Sequence, residues 1–199
     1  MPLNAYADPI ERFRDLLAQA VAVDRERLPE PTAFALGTVG ADGKPSVRML
    51  LLKEVDERGF VFYTNFESRK GMELRAFPHA ALCFHWQPLE QQVRVEGGVE
   101  PVADAEADAY FASRPRASQL GAWASQQSRP IASPGDLERR LAEVTTRFEG
   151  QPVPRPPFWS GFRLAPRRIE FWQNMPSRLH RREVYTRAGR EWAVEVLYP

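Results

Sequence analysis

The sequence holds few of the residues from which metal and thiol centres are built: one cysteine and three histidines among 199 residues. A lone cysteine excludes an internal disulfide and leaves no cysteine set for a metal site, so no metal is expected. Cys83 lies in Ala80-Ala81-Leu82-Cys83-Phe84, where a free thiol reads as a small packed hydrophobe. No apolar stretch approaches the ~20 residues that a membrane-spanning helix needs, so no membrane association is expected. Residues 1–8 lack the basic start, apolar middle and small-residue cleavage site of a secretory leader, which leaves a cytoplasmic location as the expectation. The formal net charge is only +1, which supplies no global field for nucleic acid or acidic membranes. There is no Gly-x-Gly-x-x-Gly and no strand-helix-strand alternation, which disfavours a dinucleotide-binding parallel sheet.

What is present is globular: 43% hydrophobic and 27% charged residues in a length that suits one domain. That domain reads as 1–199, with an amino-terminal helix and lead-in over 1–30 and strands and helices over 31–199. Asp8 caps a packing or lid helix, Pro9 fits its first position, and Ile10, Phe13, Leu16 and Leu17 form its apolar stripe. Pro29 and Pro31 are expected to end that helix and lead into the first strand, and a hairpin turns at Gly40-Ala41-Asp42-Gly43. Strands are predicted at 33–39, 46–54, 60–64, 80–86, 91–99, 161–164, 168–173, 183–187 and 191–197. Helices are predicted from Ser68 and over 104–113, 116–124 and 135–148, with the proline-rich 151–157 as a stiff connection. The continuous apolar run Met49-Leu50-Leu51-Leu52 predicts a central strand covered on both faces. Many short strands with few long helices indicate an α+β, mainly β chain, an antiparallel barrel with peripheral helices.

Cations sit at informative places. Ser68 can cap a helix whose first turn holds Arg69 and Lys70, an arrangement the helix dipole penalises by ~0.3–1 kcal/mol per charge. A bound phosphate at that helix start would offset it. Arg48 and Lys53 bracket the apolar run, and strand parity puts them on opposite faces unless a bulge intervenes. Tyr110 and Arg114 are four apart, Pro115 pushes Arg114 out of helical geometry, and Ser118 then falls in the next helix. Together with Lys53 they could form a second phosphate pocket. Seven arginines between Arg155 and Arg182 face a single acid, Glu170, a balance that suits either an anionic ligand or a solvated surface.

The ordered series Arg48 to Lys53, Tyr63-Thr64, Ser68-Arg69-Lys70, Glu90-Gln91-Gln92-Val93, Ser113-Arg114-Pro115, Gln119 to Trp123, Ser125-Gln126-Gln127-Ser128, Glu170-Phe171-Trp172-Gln173 and Arg178-Leu179-His180 resembles the motifs of the pyridoxine/pyridoxamine 5'-phosphate oxidase family. The resemblance spans roughly Pro31 to the carboxyl terminus. It implies a Greek-key split β-barrel that dimerises, with FMN in a groove between subunits. Its implied FMN positions are Arg48, Lys53, Tyr63, Thr64, Arg69, Lys70, Gln92, Gln127, Ser128, Trp172 and Arg182. Substrate phosphate would fall to Lys53, Tyr110, Arg114 and Ser118, and Arg178 and His180 would sit over the substrate ring as the catalytic pair. The implied reaction moves hydride from the 4' carbon of pyridoxamine or pyridoxine 5'-phosphate to the flavin, with dioxygen as acceptor and hydrogen peroxide as product. Positioning is expected to outweigh acid–base catalysis.

Two departures stand beside that chemistry. Arg181 replaces the acid in the usual Arg-Leu-His-Asp-Arg, and Asn174-Met175 replaces a small or glycine-containing pair. The family's longer basic amino-terminal extension has no match before Asp8. The rival readings are a same-fold oxidase of another ring, of the phenazine-biosynthesis type, and a non-catalytic flavin or product carrier.

Overall fold

The computed structural model describes residues 6–199; the part of the leader reading that rests on residues 1–5 lies outside them. Apolar alternation sets the first strand: in β1 (Ala33–Val39), Phe34, Leu36 and Thr38 are buried and their neighbours are not. β2 (Pro45–Leu51) returns along it, Ala33 opposite Leu51 and Val39 opposite Pro45. β3 (Glu54–Asp56) and β4 (Gly59–Asn65) form the next hairpin. β5 (His79–Trp86), β6 (Gln91–Pro101) and β7 (Trp159–Gln173) are long antiparallel strands. β8 (Arg181–Ala188) and β9 (Glu191–Leu197) close the chain. The sheet runs β2-β1-β5-β6-β7-β4-β3, with β8 on β7 and β9 on β8.

β2 and β3 are consecutive in sequence yet lie at opposite ends of that order, so the sheet must curl. Two residues bridge the edges: Leu52 N–H donates to Thr32 O on the β1 side at 2.9 Å, and Lys53 N–H donates to Val61 O on β4 at 2.9 Å. Helix α1 (Pro9–Ala22) plugs the curl; it ends where Val23 turns extended, well before Pro29 and Pro31, where the sequence predicts its end. Asp8 accepts from Ile10 N–H as its cap, and Phe13 meets Phe60 and Phe84 edge-on at 4.8 and 4.9 Å. Edge-to-face pairs add ~0.5–1.5 kcal/mol to burial, which makes α1 part of the core and not a lid.

α2 (Arg69–Ala76) starts at Ser68, whose Oγ accepts from Gly71 N–H at 3.3 Å. Gly71 lies so close to the β4 exit that a Cβ would meet Asn65 O at 2.5 Å, which fixes the helix start against the strand end. α3 (Asp104–Ser113), α4 (Arg116–Ala124) and α5 (Asp136–Arg147) follow β6, and residues 151–157 lead from α5 to β7.

Three expectations are corrected. The run at 49–52 is not a central strand: β2 is a sheet edge, with Val47 70% and Met49 65% exposed. Only Leu52 of that run is buried in this chain, because the run's other side faces a cavity instead of a second layer of the barrel. The single strand 46–54 is two, broken at the seam residues Leu52 and Lys53. The strands 161–164 and 168–173 are one strand, β7, whose register against β6 shifts between Glu96 and Gly97. Pro166 stands opposite Gly97, where a Cβ would meet Ala165 O at 2.1 Å, so proline and glycine together form a bulge and not a break.

Candidate active site

The seam residues, the exit of β4, the start of α2 and the α3–α4 corner converge on a cavity of about 930 Å³. From the strands and their seam, Arg48, Lys53, Tyr63 and Thr64 line it; from the helices and the loops beside them, Lys70, Tyr110, Arg114, Ser118 and Gln127. The break at Leu52–Lys53 is what allows Arg48 and Lys53, of opposite parity, to reach one space. Asn65 and Trp159 also line it and carried no separate sequence signal, and Ser125 joins them from the Ser125-Gln126-Gln127-Ser128 motif.

Lys70 is 8% exposed. Its Nζ has Ser68 Oγ at 3.4 Å and Gln127 Oε1 at 3.3 Å as hydrogen-bond partners, and no carboxylate pairs with it among the described residues. Burial, then the neighbouring Arg48, pushes its pKa down. Arg69 differs: its Nε donates to Glu73 Oε1 at 2.8 Å, one helical turn on, and its side chain points mostly into solvent outside the cavity lining. The like charges at the helix start are therefore handled in two ways, one by a carboxylate and one by burial beside an open space.

Glu73 was missed by the sequence reading, although its i,i+4 spacing from Arg69 was the available signal. Its buried carboxylate accepts from Ser46 Oγ at 2.7 Å, Arg48 Nη2 at 3.1 Å and Thr38 Oγ1 at 2.5 Å as well as from Arg69. Burial alone would raise its pKa, but these hydrogen bonds outweigh burial and hold it at about 2. Arg48 is fixed further by Leu36 O at 3.2 Å, and so reaches the cavity wall with its guanidinium already oriented.

At the α3–α4 corner, α3 stops because Arg114 takes an extended conformation (φ −73°, ψ 149°) before Pro115. Its guanidinium lies 4.6 Å above the Trp159 ring. Arg114 Nη1 is buried without a hydrogen-bond partner among the described residues, and burial lowers the side chain's pKa. A buried, unsatisfied donor costs ~1–3 kcal/mol, which an anion in the cavity would recover. Beside it, Tyr63, Tyr110 and Trp159 form a near-parallel stack, Tyr63 and Tyr110 centroids 3.9 Å apart and Tyr63 and Trp159 5.5 Å. Burial, then Glu106, raises the Tyr63 hydroxyl to about 12, so it stays protonated.

The remaining sequence-predicted residues lie elsewhere. Gln92, Trp172 and Arg182 are consecutive partners across β6, β7 and β8. His180 leans on Trp172 with centroids 4.6 Å apart and the rings tilted, and Arg178 precedes it on an exposed turn with φ 61°. Ser128, at φ 71°, borders a smaller cavity of about 210 Å³ next to the first. This row does not line the large cavity of its own chain.

The arginine excess between 155 and 182 is not an anion site as a whole. Arg155 pairs with Asp104 and Asp108, Arg163 with Asp56 and Glu106, and Arg168 with Glu96 and Glu170. Arg182 pairs with Glu170 at 2.8 Å and Arg181 with Glu183. Asp56, Glu96, Asp104, Glu106 and Asp108 come from strands and helices distant in sequence, and Glu183 lies just beyond the window, so a window count saw only Glu170. Arg181, the departure beside His180, has its charge taken up by Glu183, which also holds Arg12 of α1 at 2.7 Å.

Residues 22–148 match the family model described as pyridoxamine 5'-phosphate oxidase, and residues 159–199 match the pyridoxine 5'-phosphate oxidase C-terminal dimerisation region. Over 195 residues the chain is 61% identical to a pyridoxine/pyridoxamine 5'-phosphate oxidase of Myxococcus xanthus, covering 96% of this chain and 92% of the relative. A relative of the same description from Anaeromyxobacter dehalogenans is 57% identical, covering 100% and 99%. Among solved structures, PhzG from Burkholderia lata, in complex with tetrahydrophenazine-1-carboxylic acid, superposes with a TM-score of 0.91 at 34% identity, covering 98% of this chain and 95% of that one. An FMN binding protein from Nostoc punctiforme, at TM-score 0.74 and 19% identity over the full length of both chains, shares the fold.

Proposed function

The chain belongs to the pyridoxamine 5'-phosphate oxidase family, and from that premise we propose that it oxidises pyridoxamine 5'-phosphate and pyridoxine 5'-phosphate to pyridoxal 5'-phosphate, with FMN as cofactor and dioxygen as acceptor. The observation that carries the reading is a single cavity onto which two buried cationic groups open with no carboxylate partner among the described residues, Lys70 at the start of α2 and Arg114 with its orphaned Nη1 at the α3–α4 corner. Two such groups suit two phosphates, one on the cofactor and one on the substrate.

Bound flavin would supply the redox chemistry, taking a hydride from the 4' carbon and passing two electrons to dioxygen to give hydrogen peroxide. Lys70, with Arg48, Thr64, Gln127 and Ser128, would hold the cofactor's phosphate end; Arg69, which Glu73 holds outside the cavity lining, would have to swing inward to join them. Lys53, Tyr110, Arg114 and Ser118 would grip the substrate phosphate, and Tyr63 would add a flat apolar wall. Gln92, Trp172 and Arg182, with Arg178 and His180, would complete the site from a second subunit, since in one chain they stand apart from the cavity and lie on or beside strands matched to the dimerisation region. The protein's work is then to orient two rings and two phosphates and to exclude water.

The similarity to PhzG, which binds a phenazine carboxylic acid, supports a second reading with the same cofactor and another ring. A carboxylated ring has no need of the Lys53, Tyr110, Arg114 and Ser118 set. The deciding experiment supplies the flavin-loaded protein with pyridoxamine 5'-phosphate in air and follows the aldehyde absorbance and peroxide. Full flavin occupancy without product would sink this oxidase reading and leave an oxidase of another ring or a carrier.

A further inference from the structure

His180 is held from one side by the backbone. Met175 N–H donates to His180 Nδ1 at 3.3 Å, and the imidazole leans on Trp172 with the ring planes 43° apart. A neutral imidazole carries one N–H, and the nitrogen that accepts a hydrogen bond is not the one that bears it. The proton is then on Nε2, the nitrogen left free to meet a ligand.

The Met175 N–H is itself aimed. Asn174 is clamped at two points to Glu90: its N–H donates to Glu90 O at 2.9 Å, and its Nδ2 donates to Glu90 Oε1 at 3.2 Å. Glu90 has the left-handed φ of 54° that ends the 3-10 turn Gln87–Leu89. Ser177 and Arg178, at φ 58° and 61°, turn the chain so that residue 180 comes back to residue 175. Left-handed non-glycine residues cost of order 1–3 kcal/mol each and persist where surrounding contacts hold them. Asn174 is one of the two departures from the family pattern, and a glycine in its place would have no side chain to reach Glu90.

We propose that Glu90 and Asn174 are positioning residues that hold His180 as its Nε2–H tautomer, so that His180 meets the substrate as a hydrogen-bond donor and not as a proton acceptor. The group it serves is an acceptor, an oxygen or an unprotonated nitrogen on the substrate. The inference rests on the oxidase reading for its substrate, but the tautomer belongs to the resting protein.

The test uses the flavin-loaded protein labelled with ¹⁵N at its histidines, with His180→Gln identifying the His180 signals against His79 and His85. At a pH where the ring is neutral, Nδ1 is expected as the unprotonated nitrogen and Nε2 as the protonated one. A protonated Nδ1 overturns the inference. Asn174→Gly is expected to let the other tautomer appear; a spectrum unchanged from the parent removes Glu90 and Asn174 from the role. Glutamine offers an amide donor but cannot take a proton, so His180→Gln should keep kcat within about tenfold of the parent while His180→Ala loses about 10²-fold. A general base contributes about 10²–10⁴-fold, so equal losses in both variants would overturn the donor role. A chain that shows the Nε2–H tautomer and yet oxidises no pyridoxamine 5'-phosphate would overturn the oxidase reading alone.

Discussion

Lys70 Nζ lies 3.3 Å from Gln127 Oε1, a neutral oxygen 57 residues away in sequence, while the two carboxylates nearest in chain are taken, Glu73 by Arg48 and Arg69 and Glu67 by Arg129. The helix start thus keeps one buried positive charge uncommitted at the wall of the cavity. If that charge serves a phosphate, Lys70→Met should weaken flavin binding by about tenfold to 10²-fold, the worth of a charge-assisted hydrogen bond. Fluorescence titration of the apoprotein with FMN measures it. The same variant should match or exceed the parent's apo Tm, because it removes a desolvated cation without a counter-ion. Undiminished FMN affinity would take Lys70 out of the phosphate role.

Arg114 makes the corresponding case at the α3–α4 corner. Arg114→Ala should raise the substrate KM by about tenfold to 10²-fold with a smaller change in kcat, since a phosphate grip acts on ground state and transition state alike. Steady-state peroxide release at several substrate concentrations separates the two constants. An unchanged KM would assign the orphaned guanidinium to packing on Trp159.

Glu73 predicts a pH-dependent stability difference. Its pKa is lowered from 4.5 to about 2 in the folded chain. A carboxyl group depressed by folding stabilises fully above its unfolded value and loses that contribution as pH falls through its folded one. The gap corresponds to about 3 kcal/mol at neutral pH. Glu73→Gln should be less stable by about that much at pH 7, and the difference should narrow as pH drops from 4.5 toward 2. Urea unfolding of both proteins at pH 7 and pH 3 reads it, and a difference that does not change with pH would mean the carboxylate is not held as described.

The split between the cavity and the Gln92, Trp172 and Arg182 row predicts complementation between subunits. Lys70→Met and Trp172→Ala each impair a different half of the site. Unfolded and refolded together, they should form mixed dimers in which one site is fully native, restoring about a quarter of the parent's sites under random pairing. Peroxide release from the mixture, compared with each variant alone, gives the answer. If mixing restores nothing, each site is built within one chain.

Much of the fold was legible because it rests on short-range rules. Asp8, Pro9 and the stripe at Ile10 and Phe13 specify α1; Ser68 specifies the start of α2; Pro115 separates Arg114 from α4. The boundaries of β1, β5 and β6 follow from alternation and from turns. The run at residues 49–52 misled because hydrophobicity reports that a surface avoids water, not which surface covers it. The arginine-rich stretch misled for a related reason: Asp56, Asp104, Asp108 and Glu106 neutralise it from elsewhere in the chain.

The sequence by itself determined the family and the residues whose chemistry suits phosphates, because motif spacing and local capping are properties of neighbours along the chain. Only the tertiary structure decided which cations remain uncommitted. Arg48 and Arg69 share one buried carboxylate, whereas Lys70 and Arg114 face the cavity without one. Charge balance in a low-dielectric interior is set by groups within a few ångströms in space, and the seam at Leu52–Lys53, the bulge at Gly97 and the close approach at Gly71 choose those groups.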